Sequence, residues 1–450
     1  MHGKKVNMFV CGPTVYDYSH LGHAKTYIQF DFIVRYLRYK GYKVFYLQNI
    51  TDLDDKIIKR AKENNETPES LARRYEEAYY EDMKALGITS VDKYARATDY
   101  IQAIIKQVKA LLEKGYAYEI QDGIYYDLSK FKDYGKLSRR TVVEAEDAVT
   151  RIDDSVDKRN KGDFCLWKKS KSNEPMWDSP WFKGRPGWHI EDTAITEAHF
   201  GTQYDIHGGA RDLMFPHHEA EIAQMEAKSE KKPFVKYWLH TGFLTVKGRK
   251  MAKSLGNFIT LREALKEYGT GTIRLFFASS HYRNPVDYSE ESLMHLEKSF
   301  ERLSNTLSNL QDAIGKDDKS TGTEKEFVKT LKEYKKNFED AMDDDFNTPL
   351  ALSVFHGLSR EINTYLEKGR NKEALKQALT LFREFSTVFG LEFKHEEKEL
   401  PRDIEKLIKE REKARKKKDW KKADAIRTEL KKRGILLEDT PDGVKWKFKK

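Results

Sequence analysis

The sequence predicts an α/β fold in which a parallel sheet is covered by helices on both faces, followed by a bundle of helices and a small charged end. Three observations predict it. Strand-like apolar runs alternate with helix-period segments from residue 6 to about 118, residues 289–342 carry long amphipathic helical patterns, and beyond Phe393 the composition turns strongly charged.

The elements follow in order. An apolar run at 6–10 is the first strand, and a helical pattern through Tyr27, Phe30, Phe32, Ile33, Tyr36 and Leu37 ends near Gly41. A short strand at 44–48 and helical patterns at 68–86 and 98–114 continue the alternation. From about 117 to 183 the pattern breaks into short aromatic strands, charged turns and a Pro/Gly/Trp-rich stretch. It resumes at Gly187 and runs through His207-Gly208-Gly209 and His217-His218 to Leu244. Residues 261–268 and 271–278 read as helix, then 289–314 and 323–342 as longer helices joined by a polar loop at 315–323. Residues 404–432 read as a basic helix or helix pair, and 435–446 as a small β-like end. The boundaries expected from this pass are 1–116, 117–186, 187–245, 246–288, 289–395 and 396–450.

Composition narrows the function classes. No apolar stretch approaches the length needed to span a bilayer, and the N-terminus shows no secretory apolar segment. Lys+Arg number 82 against 73 Asp+Glu, a net charge of +9 with its basic excess towards the C-terminus. That distribution points to a polyanionic partner rather than a membrane. Two cysteines, Cys11 and Cys165, make no disulfide framework, so a reducing cytoplasmic setting is expected.

Two short stretches carry the chemistry. His20-Leu21-Gly22-His23 falls on the first strand-to-helix turn, where free N–H groups and the positive end of the helix dipole suit a phosphate. Lys250-Met251-Ala252-Lys253-Ser254 is a loop with two ammonium groups, suited to the charge that builds on a reacting phosphate. Each alone is weak, because spaced histidines at an exposed helix start and lysines in a solvated turn are common. Their order and setting give them weight.

The two stretches resemble the paired HIGH and KMSKS elements of class I aminoacyl-tRNA synthetases, and the surrounding sequence is similar to the cysteinyl-tRNA synthetase family. The matching runs are residues 11–17 (CGPTVYD), 49–56 (NITDLDDK), 187–191 (GWHIE), 205–209 (DIHGG), 215–219 (FPHHE) and 280–283 (SHYR). The resemblance implies a Rossmann-type nucleotide-binding catalytic domain split by a connective insertion, then an α-helical bundle and a small C-terminal anticodon-binding domain. It also implies about a strand's worth of chain before the first active-site strand, where this sequence has Met1 to Lys5.

By resemblance, a zinc ion with an open position selects thiol over alcohol, and its ligands fall on Cys11, Asp192, His217 and Glu221. The chemical reason is that serine differs from cysteine by one atom, which size alone discriminates poorly, whereas thiolate binds zinc far better than an alcohol. His217 and Glu221 are four apart and share a face on a helix; His218 is the lesser candidate. The family usually has cysteine where this chain has Asp192. Two outcomes stay open: zinc held more weakly by a Cys/Asp/His/Glu set, or no ion and a thiol recognised by packing and hydrogen bonds. Without the family register Cys11 reads as a small buried hydrophobe, and Cys165 keeps that reading.

The implied reaction activates L-cysteine with ATP and Mg²⁺, then transfers it to the 3′ end of tRNA(Cys), with His20, His23, Lys250 and Lys253 as catalytic groups. Gly22 leaves room for adenine. His207, Gly208, Gly209 and Asp212 resemble the adenosine-binding strand end, and Thr51 and Trp188 line the cysteine pocket, though Trp188 also reads as a plain core aromatic. In the basic C-terminal tract, Arg415, Lys416, Trp420 and Trp446 are expected to meet the anticodon through charge and stacking. A cytoplasmic monomer is implied. The rival readings are a cysteine ligase with an amino-sugar acceptor, a tRNA-binding paralogue without activity, and a changed amino acid signalled by Asp192.

Overall fold

The computed structural model describes residues 4–140, 155–251, 258–393, 402–440 and 443–448. Ala252, Lys253 and Ser254 lie outside the described residues, as do the side chains of Lys250 and Trp446. Among the described residues no helix is long and apolar enough to cross a membrane. The chain divides into two compact units, 1–393 and 394–450.

The first unit begins with β1 (Lys5–Val10), α1 (Leu21–Tyr39), β2 (Lys43–Ile50), α2 (Asp55–Glu63), α3 (Pro68–Ala85), β3 (Lys93–Arg96) and α4 (Ile101–Glu113). An antiparallel sheet follows, made of β4 (Ala117–Ile120), β5 (Gly123–Tyr126), β6 (Phe164–Lys169) and β7 (Gly184–Pro186), in that spatial order. The nucleotide-type fold then resumes with α5 (Trp188–Phe200), β8 (Tyr204–Ala210), α6 (Glu219–Ser229) and β9 (Val235–Thr241).

The main sheet has the order β3-β2-β1-β8-β9 and every pair is parallel. Val6, Met8, Phe9 and Val10 of the central β1 are all buried, as a strand covered on both faces requires. β1 has β2 on one side and β8 on the other, so the chain order reverses there. At such a switch point the carboxyl ends of the strands leave a crevice for ligands.

A second small sheet holds β10 (Leu244–Val246), β11 (Arg249–Lys250) and β12 (Val286–Tyr288), in the order β11-β10-β12. β11 therefore carries the start of the lysine loop. The two helices expected at 261–278 form one element, α7 (Leu261–Ala278), broken at Gly269 by a left-handed φ of 72° that glycine adopts without strain. A bundle follows: α8 (Glu290–Ile314), α9 (Glu324–Asp343), α10 (Thr348–Lys368) and α11 (Lys372–Val388). Stacked rings at its centre, Phe338 on Phe385 (3.9 Å) and Phe327 on Tyr365 (4.0 Å), bind its helices together.

One buried ion pair staples this unit. Arg274 of α7 donates to Asp31 of α1, to Phe389 O after the bundle (2.7 Å) and to Leu86 O (2.9 Å). Both side chains are fully buried.

The second unit pairs α12 (Arg402–Lys416) and α13 (Trp420–Lys432) with an antiparallel hairpin of β13 (Ile435–Thr440) and β14 (Gly443–Phe448). Its core is Ile404, Ile408, Ile426, Leu430, Ile435 and Leu437.

Candidate active site

The HLGH turn caps α1 from within. His20 Nδ1 accepts from the amides of Gly22 (3.0 Å) and His23 (3.4 Å), and His23 Nδ1 accepts from the His20 amide (3.4 Å). Free N–H groups are expected at this helix start, but the amides of Gly22 and His23 are taken by His20, whose imidazole serves as the helix cap. An Nδ1 that accepts leaves the ring proton on Nε2, so each imidazole presents Nε2–H as its donor. The rings stack at 3.8 Å. Desolvation, then the neighbouring His20, lowers the pKa of His23 well below its ordinary value. At neutral pH it is a neutral donor.

The far end of the lysine loop lies against this turn. His20 and Thr260 form an antiparallel bridge, Leu261 N donates to Ser19 O (3.1 Å), and Phe258 packs edge-on against His20 (5.3 Å). On the near side, a Cβ added at Gly22 would lie 3.8 Å from Met251 Cε. Met251 and residues 258–261, more than two hundred residues from the HLGH turn in sequence, thus lie at the same end of the sheet as that turn.

Beside them, at the ends of β1 and β8, sits a buried cluster rich in acceptors. His217 Nε2 lies 3.0 Å from Asp192 Oδ2, 3.3 Å from Glu221 Oε1 and 3.7 Å from Cys11 Sγ. His217 belongs to a π-type turn (Met214–His218) just ahead of α6, so the expected shared helix face arises across that junction. A lone pair on His217 Nε2 requires the ring proton on Nδ1, where His189 Nδ1 stands 2.8 Å away to accept it. Trp188, the first residue of α5, stacks on His217 at 4.3 Å.

Neither Glu221 oxygen has a hydrogen-bond donor although both are buried. Two carboxylates, a thiol and an imidazole nitrogen thus converge with no Lys or Arg against them among the described residues, and a buried carboxylate without a partner is costly. Burial, followed by the charges of Asp192 and Glu221, raises the Cys11 thiol pKa; burial and then Asp192 raise that of Glu221. A divalent cation removes both costs. The donor set of S, N and O atoms suits zinc. Cys11/His217/His218, His207/His218/Glu221 and Asp192/His217/Glu221 each bring ligand atoms within 4.8 Å of one another.

A cleft of about 440 Å³ opens beside Trp188, lined also by Thr14, Asp54, Lys56, Arg185 and Glu191. Thr51 is buried behind it and accepts from Asn49 Nδ2 (3.2 Å).

The residues expected at the adenosine site lie in different surroundings. The His207 ring points into the acidic cluster, where Tyr204 OH lies 2.6 Å from Nδ1 and Trp238 stacks on it at 4.4 Å. Alternation along β8 sends it there. A Cβ at Gly208 would strike the Phe30 ring at 2.4 Å, and one at Gly209 would reach His218 at 2.9 Å. The absence of a Cβ at these glycines admits α1 and the histidine cluster. Asp212 is exposed, just past the end of β8.

Sequence reasoning passed over Asn49, His189 and His240. His240 Nε2 lies 2.9 Å from His218 Nδ1, and His189 sits three residues before Asp192 on α5, a spacing that was open to view. Cys165 packs with Tyr118 and Tyr125. In the second unit Lys416 is exposed, Arg415 half-buried and Trp420 57% exposed, while Trp446 pairs by its backbone with Leu437.

Comparison with known proteins gives one answer. Residues 1–298 match the family model for the class I (C) tRNA synthetase catalytic domain, 337–394 a DALR domain, and 397–446 a cysteinyl-tRNA ligase anticodon binding domain. The cysteine–tRNA ligase of Thermococcus gammatolerans is 50% identical over 458 residues, covering 99% of this chain and 95% of the relative. That of Thermococcus onnurineus is 50% identical over 454 residues, covering 98% and 94%. Among solved structures, Mycobacterium tuberculosis methionyl-tRNA synthetase with methionyl-adenylate has a TM-score of 0.63 at 16% identity, covering 86% of this chain and 89% of its own. A leucyl enzyme of Agrobacterium radiobacter in complex with tRNA has 0.65 at 11%, covering 87% and 84%. At those identities the likeness is one of fold. With half of its residues shared with the two Thermococcus enzymes across nearly its whole length, the chain belongs to the cysteine–tRNA ligase family of class I synthetases.

Proposed function

We propose that this chain ligates L-cysteine to tRNA(Cys) in two steps. The cysteine carboxylate attacks the α-phosphorus of ATP, carried as its Mg²⁺ complex, and pyrophosphate leaves. The 3′-terminal ribose hydroxyl of the tRNA then attacks the acyl carbon of cysteinyl-adenylate, and AMP leaves. The observation that carries this reading is the bridge between His20 and Thr260, which brings the HLGH turn and the end of the lysine loop to one crevice beside the acceptor-rich cluster.

His20 and His23 donate from Nε2 to triphosphate oxygens, and Gly22 keeps the approach clear. Lys250 and Lys253 offset charge on the reacting phosphate, with Lys253 dominant. His207, Gly208 and Gly209 act through the backbone of β8, and Asp212 meets the ribose. Thr51 and Trp188 border the bound cysteine. Cys11, Asp192, His217 and Glu221 hold zinc, which when bound supplies an open position that takes a thiolate in preference to an alcohol. The orphaned Glu221 oxygens support that assignment.

Segments 1–116 and 187–245 form the halves of the catalytic domain, 117–186 the connective insertion, 246–288 the loop-bearing link, 289–395 the bundle and 396–450 the anticodon-binding domain. There Arg415, Lys416, Trp420 and Trp446 meet the tRNA. The anticodon-domain match at 397–446 favours a tRNA acceptor over an amino sugar. The chain acts as a cytoplasmic monomer, without a membrane.

Pyrophosphate exchange tests the reading: it is expected with cysteine, and neither with serine nor without amino acid. Exchange driven by serine would sink it. Lys253→Ala should slow adenylate formation by at least about tenfold, or about 1.4 kcal/mol, with cysteine affinity nearly intact. Unchanged exchange kinetics in that variant would refute the role of Lys253.

A further inference from the structure

Asn49, near the end of β2, is fully buried. Its Oδ1 accepts from the amide of Gly12, next to Cys11 (2.5 Å), and its Nδ2 donates to Asp192 Oδ1 (2.7 Å) and Thr51 Oγ1 (3.2 Å). The partners fix which way the amide faces, because a backbone N–H only donates and a carboxylate only accepts. One side chain thus ties the strand end that carries Cys11 to the helix that carries Asp192.

Asp192 is divided by this contact. Oδ1 is committed to Asn49, and Oδ2 faces His217 Nε2 at 3.0 Å. Resting on the reading that Cys11, Asp192, His217 and Glu221 hold a metal ion, we propose that Asn49 is a positioning residue that holds Asp192 to one-oxygen ligation. A coordination place is thereby kept for the thiolate of the substrate.

The argument is one of coordination number. Zinc in protein sites takes four ligands and expands to five at catalytic centres. One atom from each of the four side chains leaves the fifth place to the incoming sulfur. A carboxylate that swung to use both oxygens would fill that place itself, and a cysteine at position 192 has no second donor atom to restrain. The Nδ2 contact therefore matters for a carboxylate in particular, whereas the Gly12 contact supports Cys11 whatever residue stands at 192. Partners in the outer shell of a metal site typically change its affinity 10- to 100-fold.

A double-mutant cycle on the full chain separates these roles. Zinc affinity is measured by competition with a chromophoric chelator for wild type, Asn49→Ala, Asp192→Cys and the double variant. Asn49→Ala is expected to weaken zinc about 10- to 100-fold beside Asp192, and clearly less beside the introduced thiolate. On the cobalt-loaded chain, added cysteine should strengthen the near-ultraviolet thiolate-to-cobalt absorption of wild type, with Asn49→Ala needing about tenfold more cysteine. An equal loss in both backgrounds overturns the proposal, leaving Asn49 as an anchor for Gly12, and unchanged zinc affinity together with unchanged cysteine uptake overturns it too. A wild-type chain that takes up neither metal overturns the metal reading itself, and the proposal with it. If Asn49→Ala does not fold, Asn49→Ser, too short to reach Asp192, replaces it in the cycle.

Discussion

The acidic groups at Asp31 and around His217, both buried in the first unit, differ in whether they have their own counter-ions among the described residues. Around Asp31 the carboxylate accepts from Arg274 and from Arg35 (2.7 Å), and Arg274 spends its remaining donors on two backbone carbonyls. Around His217, two carboxylates and a thiol meet with neither Lys nor Arg among the contacts seen in the described residues, and both oxygens of Glu221 are left over. Asp31 Oδ1 also lacks a hydrogen-bond partner, so what sets the Asp31 cluster apart is its counter-ions. A buried carboxylate that has them holds elements together and has no use for a cation. A buried acidic cluster without counter-ions is suited to take up a cation, because the cost of burying its charge is recovered when one arrives.

The sharpest way to break this contrast is to remove the cation from the first cluster. Arg274→Met leaves Asp31 buried with Arg35 as its remaining cation, and should cost about 3–5 kcal/mol, read as a lowered midpoint in urea. Added zinc should not restore it, because the lesion is remote from the acceptor cluster. A variant as stable as wild type would show that packing, and not the pair, holds α1, α7 and the bundle together.

Neutralising the second cluster is expected to act in the opposite direction. Glu221→Gln removes a buried carboxyl group that has no hydrogen-bond donor and whose charge is disfavoured by burial and Asp192, so the metal-free protein should gain stability. Zinc affinity should fall by about 100-fold or more, a lost ligand costing more than the outer-shell changes of 10- to 100-fold. Calorimetry with and without zinc checks both signs. A destabilised metal-free variant would mean that Glu221 already has a partner.

The contrast also explains what the sequence disclosed. The alternation that predicts the parallel sheet was legible because β1 and β2 are apolar runs between helical periods, and the paired motifs were legible because their residues are contiguous. The break at Gly269 was legible as two helical runs. The direction of His207 was not. A strand end with His-Gly-Gly reads equally well as a ligand rim or as packing, and the choice rests on Phe30 and His218, which approach from α1 and from the turn before α6. Nor did anything local mark Asp31 and Arg274 as partners, since they lie 243 residues apart and their pairing is set by the docking of α7 on α1. Asn49 was quoted within a motif, yet its contact with Asp192 spans 143 residues. Local chemistry can be read along the chain, whereas counter-ion balance exists only in three dimensions.

Acid titration gives the smallest effect and a specific test of the self-contained cluster. Burial alone would raise the Asp31 carboxyl, but the Arg274 and Arg35 charges outweigh it and hold the group below its ordinary value. A folded value below the unfolded one means that the folded chain binds fewer protons between the two. The contribution is therefore complete above the ordinary carboxylate value of about 3.9 and is lost as pH falls through the folded value. Asp31→Asn has no such group to titrate. The difference in melting temperature between wild type and Asp31→Asn should stay level from about pH 7 to 5 and narrow below about pH 4. A gap that widens on acidification would show that Asp31 folds with a raised value, and that Arg274 does not serve as its counter-ion.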